Sequence, residues 1–255
     1  MPATLIVQSH RQPLPCAWID TCLASVREWA RANGYDYRFL GDELFTHVPR
    51  EIRDKTRKQP VIATDLARLH VMREALEQGA QRVVWLDADF LIFAPQDFVL
   101  PSTSHAVGRE VWIQEDKHGA PRAYKKVHNA LLMACRENAF LDFYLEAATR
   151  LLWQNRGPMP PQFIGPKLLT ALHNVVQLPV MESAGILSPW VIRDLNAEGG
   201  PALELFLRRS SRPIAGANLC LSSQQGGAVS ESEMVSVIER LVQRPNGVHT
   251  KTELT

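Results

Sequence analysis

The first forty residues have the pattern of a β-α-β unit, and this pattern constrains the fold more than any other feature. Residues 4–8, Thr-Leu-Ile-Val-Gln, form a β-type run, and residues 17–33 carry apolar side chains at helical spacing before Gly34. Residues 35–40 then alternate as a second strand. Units of this kind build parallel sheets with helices on their faces. We therefore predict an α/β fold with a mixed, mostly parallel, Rossmann-like sheet flanked by helices.

The remaining periodicity predicts more strands and helices within a single domain, residues 1–255. Apolar spacing and helix-stop signals favour four helices, the last of them beginning with a Ser230/Glu233 capping box. The segment rich in Ser, Gly and Gln predicts a mobile loop. The predicted helices are 61–78, 140–153, 164–172 and one from residue 230; the strands are 83–86, 105–114 and 175–180; the loop is 210–232.

Composition excludes several classes of protein. The chain has 28 Lys+Arg and 27 Asp+Glu, a formal charge of +1, whereas duplex-DNA proteins usually have a strongly basic domain. No apolar run approaches the roughly 18 residues of a membrane span. The N-terminal residues lack the features of a signal peptide, so a cytoplasmic protein is expected. Four scattered cysteines, without a C-x-x-C pair, favour reduced thiols over a disulfide scaffold or a zinc knuckle.

Asp87-Ala88-Asp89 is the strongest candidate for a functional site. The apolar run Val83-Val84-Trp85-Leu86 ends in these two carboxylates, which places them at the carboxyl edge of the sheet. Ligands bind at this edge in α/β folds. Oxygen ligands suit Mg²⁺ or Mn²⁺ better than zinc, and such a metal can neutralise a diphosphate leaving group. A strand end with solvated acids has the same short pattern.

Several motifs, in chain order, resemble GT-A-fold glycosyltransferases, especially those of mannosyltransferase, glucosylating-toxin and glycogenin-like type. The metal strand of that superfamily resembles residues 82–92, and its nucleotide-facing helix resembles residues 64–69, Thr-Asp-Leu-Ala-Arg-Leu. The strand with a donor-facing Asn resembles residues 128–133, and the G-P-x-x-L-T helix start resembles residues 163–170. The resemblance runs from residue 4 to about 172, and the Gly-Gly-x-Tyr turn of the toxin-like members is absent.

The resemblance implies a metal-dependent glycosyltransferase of hexosyltransferase type. Such an enzyme would transfer a sugar from a UDP- or GDP-sugar donor with retention of configuration. About residues 1–100 would form the nucleotide-donor half, and about 101–255 the sugar and acceptor half. A glycan, a lipid-linked molecule or a small molecule would be the acceptor. The roles implied are metal binding by Asp87, Asp89 and His249, donor contact by Asp65, Arg68, Asp87, Asn129 and Gly165, and catalysis by Asp89 and Asn129.

Other interpretations remain open at this stage. A haloacid-dehalogenase-like phosphatase also places D-x-D after an apolar strand, although normally after the first strand of its domain. A nucleotide-sugar-binding domain without turnover fits the same motifs, since the third metal ligand is uncertain. Asp65 and Arg68 have the i, i+3 spacing of an ordinary surface ion pair. Gly165-Pro166 is also the normal start of a helix with proline at its first position.

Overall fold

The protein has an α/β fold in a computed structural model that describes residues 3–136 and 138–244. The predicted fold class is confirmed: a mixed sheet with parallel strands is flanked by helices. The strands predicted at 4–8, 35–40, 83–86 and 105–114 are each present to within one residue at either end. The strands are β1 Thr4–Ser9, β2 Asp36–Leu40, β3 Arg82–Leu86, β4 Phe90–Ile92, β5 His105–Glu115, β6 Pro121–Cys135, β7 Val180–Met181, β8 Ala184–Ile186 and β9 Gly216–Asn218.

Helices cover both faces of the sheet. The helices are α1 Ala17–Ala32, α2 Arg50–Lys55, α3 Pro60–Glu77, α4 Ala139–Gln154, α5 Pro166–Val176, α6 Pro189–Asn196, α7 Pro201–Arg209, α8 Leu221–Gln225 and α9 Glu231–Gln243. A 3₁₀ helix, Asp42–His47, follows β2. One apolar core packs between the sheet and α1, α6, α7 and α9, and the other packs against α3, α4 and α5.

The strand order brings three loop starts to one edge of the main sheet. In the described residues this sheet has the order β2-β1-β3-β6-β5-β7, and β1 pairs in parallel with both β2 and β3. The segments that follow Ser9, Leu40 and Leu86 therefore leave from the same edge. A smaller sheet, β4-β9-β8, begins directly after Asp89 and pairs Phe90 with Asn218. The two sheets meet at the Asp87–Asp89 turn.

Two predicted segments were wrong. Residues 175–180 do not form a strand: α5 continues to Val176, and its last two valines are 80% and 61% exposed. The β-branched side chains of Val175 and Val176 are typical of a strand, but they lie in the exposed last turn of α5. Only Val180–Met181 pairs as a strand. Residues 210–232 are not one loop, because they contain β9 and α8. Small residues there allow close packing: a Cβ on Gly216 would meet the rings of Phe90 and Phe98.

The capping box predicted for the last helix is confirmed. Ser230 Oγ accepts from the backbone N–H of Glu233, and the backbone N–H of Ser230 donates to Glu233 Oε2 at 2.8 Å. These contacts satisfy two N–H groups that the first turn leaves without intrahelical partners.

Candidate functional site

A cleft of about 470 Å³ opens at the carboxyl ends of the three parallel strands. Ser9, His10 and Arg11 line it after β1, and Gly41, Asp42 and Phe45 line it after β2. Arg68, Trp85, Asp87 and Asp89 line it from α3 and from the end of β3. This is the edge at which α/β sheets bind ligands. Both carboxylates of the D-x-D motif therefore lie where the sequence predicted.

Arg68 is a buried cation that connects α3 to the D-x-D motif. Its Nη1 lies 3.1 Å from Asp87 Oδ1, and its Nη2 lies 3.2 Å from Asp65 Oδ1. Its side chain is only 4% exposed, and its guanidinium also lies over the Trp85 ring, 5.3 Å from the centroid. The ordinary surface ion pair considered from the sequence is therefore ruled out, because Asp65 and Arg68 are both buried.

Asp87 lines the cleft with a side chain that is 25% exposed, and one of its carboxylate oxygens is bound within the protein. Oδ1 accepts from Trp85 Nε1 at 2.7 Å and contacts Arg68. Oδ2 has no hydrogen-bond partner among residues 3–136 and 138–244. The backbone carbonyl of Asp87 accepts from Gln8 Nε2, whose own amide oxygen accepts from Tyr37 OH. The position of Asp87 is thus fixed from two neighbouring strands while one oxygen remains available.

Asp89 is held by residues distant in sequence. Its Oδ1 accepts from Asn218 Nδ2 at 2.6 Å, and its Oδ2 accepts from the backbone N–H of Leu221 at 2.8 Å. Burial, followed by the negative charge of Asp87, raises the pKa of Asp89 to about 6. Asn218 is itself fixed, because its Oδ1 accepts from the backbone N–H of Cys220. Asn218 and Leu221 were not predicted as site residues, because only the β4–β9 pairing brings them to Asp89.

Three further predicted site residues lie next to Arg68 or its partners but do not line the cleft: Asp65, Asn129 and Gly165. Asn129 Nδ2 donates to Asp65 Oδ1 at 2.8 Å, and the backbone carbonyl of Asn129 accepts from Arg68 Nη1. Burial raises the pKa of Asp65 to about 6, although Arg68 and Asn129 both act in the opposite direction. The structure brings these residues together with Asp87, whereas their direct contact with a donor stays a prediction.

Gly165 allows the start of α5 to lie against this network. A Cβ at Gly165 would meet Asp65 Oδ2 and Asn129 Nδ2 closely. We expect Gly165→Ala to lower the free energy of unfolding by roughly 1–3 kcal/mol, the usual cost of overpacking a filled core. Gly157→Ala is the matched control, because a Cβ there meets nothing within 4 Å. Equal urea midpoints for the two variants would contradict the packing of Gly165.

His128 is buried and neutral beside the site. Its Nε2 lies 3.2 Å from the Ala184 carbonyl, and burial lowers its pKa to about 4. The unfolded state binds a proton near pH 6.5, so His128 stabilises the fold above that pH and loses the contribution as pH falls towards 4.

We expect the pH dependence of stability to differ between the wild type and His128→Gln. Between pH 6 and 4.5 the wild type should lose up to about 1.4 kcal/mol per pH unit more than the variant, which corresponds to one proton. Urea unfolding at a series of pH values measures this difference. Parallel pH profiles would contradict a neutral buried His128.

The proposed third metal ligand, His249, lies outside the described residues. Within the described part of the chain, no group of three or more His, Cys, Asp or Glu side chains is placed to hold a metal ion. Of the three predicted metal ligands, Asp87 and Asp89 lie within the described residues.

Comparisons with known proteins give structural neighbours only. No protein-family model matches the sequence, and no curated protein matches it. A glycosyltransferase involved in the glycosylation of the major capsid of PBCV-1 is 13% identical, with a TM-score of 0.48 over 92% of this chain and 98% of that chain. Mouse xyloside xylosyltransferase 1 is 11% identical, with a TM-score of 0.45 over 86% and 98%.

A third neighbour is the galactosyltransferase LgtC, solved with donor and acceptor sugar analogues. It is 12% identical, with a TM-score of 0.46 over 96% of this chain and 99% of that chain. All three of these solved structures are glycosyltransferases.

Proposed function

We propose that the protein is a metal-dependent glycosyltransferase that takes a sugar from a nucleotide-diphosphate donor. The observation that carries this proposal is the D-x-D pair that lines the cleft at the parallel-strand edge, with no hydrogen bond to Asp87 Oδ2 from the described residues. Asp65 and Asp87 contact the Arg68 guanidinium, and Asp89 adds a third carboxylate to the cleft. The three carboxylates outnumber the single cation, so a diphosphate would be repelled unless a metal cation were bound as well.

The residues present fit a hard divalent cation. Asp87 and Asp89 supply carboxylate oxygens, the ligands that Mg²⁺ and Mn²⁺ prefer. The raised pKa of Asp89 has burial and the charge of Asp87 as its causes, and a cation would offset both. When bound, the metal would neutralise charge that develops on a departing diphosphate. His249 is proposed as a further ligand.

The cleft also fits the nucleotide portion of a UDP- or GDP-sugar. Phe45, Leu44 and Val61 provide apolar surface, while Arg11 and His10 provide groups that can contact phosphate or ribose oxygens. Asn129 and Asp65 would contact the sugar or act through Arg68, and Gly165 lets α5 approach them. Residues 1–100 would form most of this donor half. Asn218 and Leu221, from the half assigned to sugar and acceptor, also support it by holding Asp89.

The residues of the site have separable roles in this proposal. Arg68 and Trp85 hold Asp87 Oδ1 in place, so that the carboxylate needs little reorganisation when a donor enters. Asn218 and Leu221 do the same for Asp89. Asn129 is a catalytic candidate through the family resemblance, and in the fold it is buried beside Arg68, whose Nη1 donates to its backbone carbonyl. Retention of configuration and hexose transfer are implied by the family resemblance.

The direct test is release of nucleoside diphosphate from UDP-glucose, UDP-galactose and GDP-mannose. Reactions would contain Mn²⁺ or EDTA, with and without a mixture of simple sugars as acceptors. We expect release from one donor class only with metal, and no release after chelation. Hydrolysis of p-nitrophenyl phosphate, without release of nucleoside diphosphate from any donor, would instead indicate the phosphatase.

A second candidate is a nucleotide-sugar-binding domain without turnover. One observation favours it: the described residues provide no group of three metal-ligating side chains. Metal-dependent binding of a nucleotide sugar, with neither hydrolysis nor transfer, would support this alternative over the transferase.

A further inference from the structure

A group of exposed basic side chains lies at the outer end of the β5–β6 hairpin and the end of α7. The hairpin of residues 105–135 together with residues 201–215 carries eight Lys and Arg side chains against four Asp and Glu side chains. The local excess is therefore four positive charges on a chain whose formal charge is +1. The members of this basic patch are Arg122, Lys125, Lys126, Arg208, Arg209 and Arg212.

These six cations form no ion pair among residues 3–136 and 138–244, in contrast to Arg73, Arg150 and Arg240, which pair with acids on the surface. The patch is continuous between the two elements. Lys125 Nζ donates to Ser211 Oγ at 2.7 Å. A shallow groove of about 410 Å³ is lined by Arg122, Lys125 and Arg209 around Pro121, Ala123 and Leu205.

Aromatic and aliphatic side chains accompany the charges. Arg122 and Lys126 flank the Tyr124 ring, at 5.3 and 6.0 Å from its centroid, and Trp112 lies opposite Tyr124 in the strand pairing. Both aromatic residues are half-buried, as are Leu205 and Leu207 of α7. Tyr and Trp favour surfaces where an apolar layer meets water, and long basic side chains extend past them to reach charged groups.

We propose that the basic patch docks the protein on an anionic lipid surface. Unpaired cations beside interfacial aromatic and aliphatic groups complement a bilayer that presents acidic headgroups above an apolar layer. A single phosphate would engage only part of a patch that spans a hairpin and a helix end. The lack of a basic character across the whole chain disfavours a nucleic acid as the occupant.

In the described residues no helix is long and apolar enough to cross a membrane. The proposed docking acts through surface contact at this patch. Residues 210–215 continue from the patch into β9, where Asn218 holds Asp89, so the docked end is connected directly to the proposed donor site. If the proposed function also holds, this arrangement suits a lipid-linked acceptor.

The test is co-sedimentation with two kinds of vesicle. One consists of phosphatidylcholine alone, and in the other about one lipid in three is the anionic lipid phosphatidylglycerol. We expect binding only to the anionic vesicles, and release at high salt because screening weakens surface electrostatics. The Arg208→Gln/Arg209→Gln/Arg212→Gln variant should partition roughly 100-fold less, since each basic residue near such a surface contributes about fivefold.

The matched control is Arg31→Gln/Arg38→Gln/Arg53→Gln, which removes the same charge from exposed sites elsewhere and should bind like the wild type. Equal binding to neutral and anionic vesicles, equal losses in both triple variants, or no vesicle binding would overturn the proposal. Binding to soluble polygalacturonate without vesicle binding would assign the patch to an acidic glycan instead. The assay contains no donor, so its outcome is independent of the proposed transfer.

Discussion

The Asp89→Asn variant is expected to lose metal-dependent nucleotide binding and to reduce donor turnover by at least about 100-fold, while it stays folded. The substitution removes a charge from the proposed cation site without changing the size of the side chain. One amide hydrogen bond becomes mismatched, because Asp89 accepts from both Asn218 and Leu221. Burial raises the pKa of the Asp89 carboxyl group to about 6, so its charged form is destabilised by the fold. Removing this charge at neutral pH offsets the cost of the mismatched hydrogen bond.

Thermal unfolding with and without Mn²⁺ and nucleotide, together with nucleoside-diphosphate release, measures both effects. Asp97→Asn is the matched control: Asp97 is an exposed acid in the turn after β4, and we expect this variant to behave like the wild type. Wild-type turnover and an unchanged metal effect in Asp89→Asn would remove Asp89 from the metal site. An unfolded Asp89→Asn would show that the carboxylate is needed first for packing β9 and α8.

The Arg68→Met variant is expected to lose roughly 3–5 kcal/mol of unfolding free energy, because the buried carboxylate of Asp65 and the partly buried carboxylate of Asp87 are left without their cation. Arg68 contacts both Asp65 and Asp87 and is almost fully buried. Arg73→Met, on the same helix, removes an exposed pair with Glu77 and should cost less than about 1 kcal/mol. Urea unfolding of the two variants gives the comparison.

The sign of the pH dependence provides a second readout for Arg68. The guanidinium lowers the pKa of Asp65 against the larger effect of burial, so its removal raises that pKa further. Protonation then relieves the uncompensated charge, and the defect of Arg68→Met should be smaller at pH 5 than at pH 8. Asp65→Asn added to Arg68→Met should restore part of the stability. A loss below about 1 kcal/mol at pH 8 would contradict the buried network.

Local patterns predicted the parts of the fold that local physics determines. The β-α-β opening, the strand that ends in Asp87 and the capping box at Ser230 all depend on neighbouring residues, and the structure contains each of them. The i, i+3 spacing of Asp65 and Arg68 placed both on one side of α3. That spacing could not show whether they were buried, because burial depends on β3 and on the start of α5.

The supports of the site could not be predicted in the same way. Asn218 lies 129 residues from Asp89, within a segment whose small polar residues are typical of loops. Only the pairing of β4 with β9 turns that segment into a buried strand. The valines at the end of α5 show the converse error, since their β-branched side chains suggested a strand where the helix continues to Val176.

The central claim is that Asp87 and Asp89 hold a divalent cation on a nucleotide diphosphate. Thermal shift against UDP, GDP, ADP and CMP, each with Mn²⁺ and with EDTA, tests it most directly. A ligand at about 100 times its Kd adds roughly 2.7 kcal/mol, a Tm increase of about 5–10 °C for a chain of this size. We expect such an increase with UDP or GDP only when Mn²⁺ is present. No increase with any nucleotide, or an equal increase in EDTA, would contradict the claim.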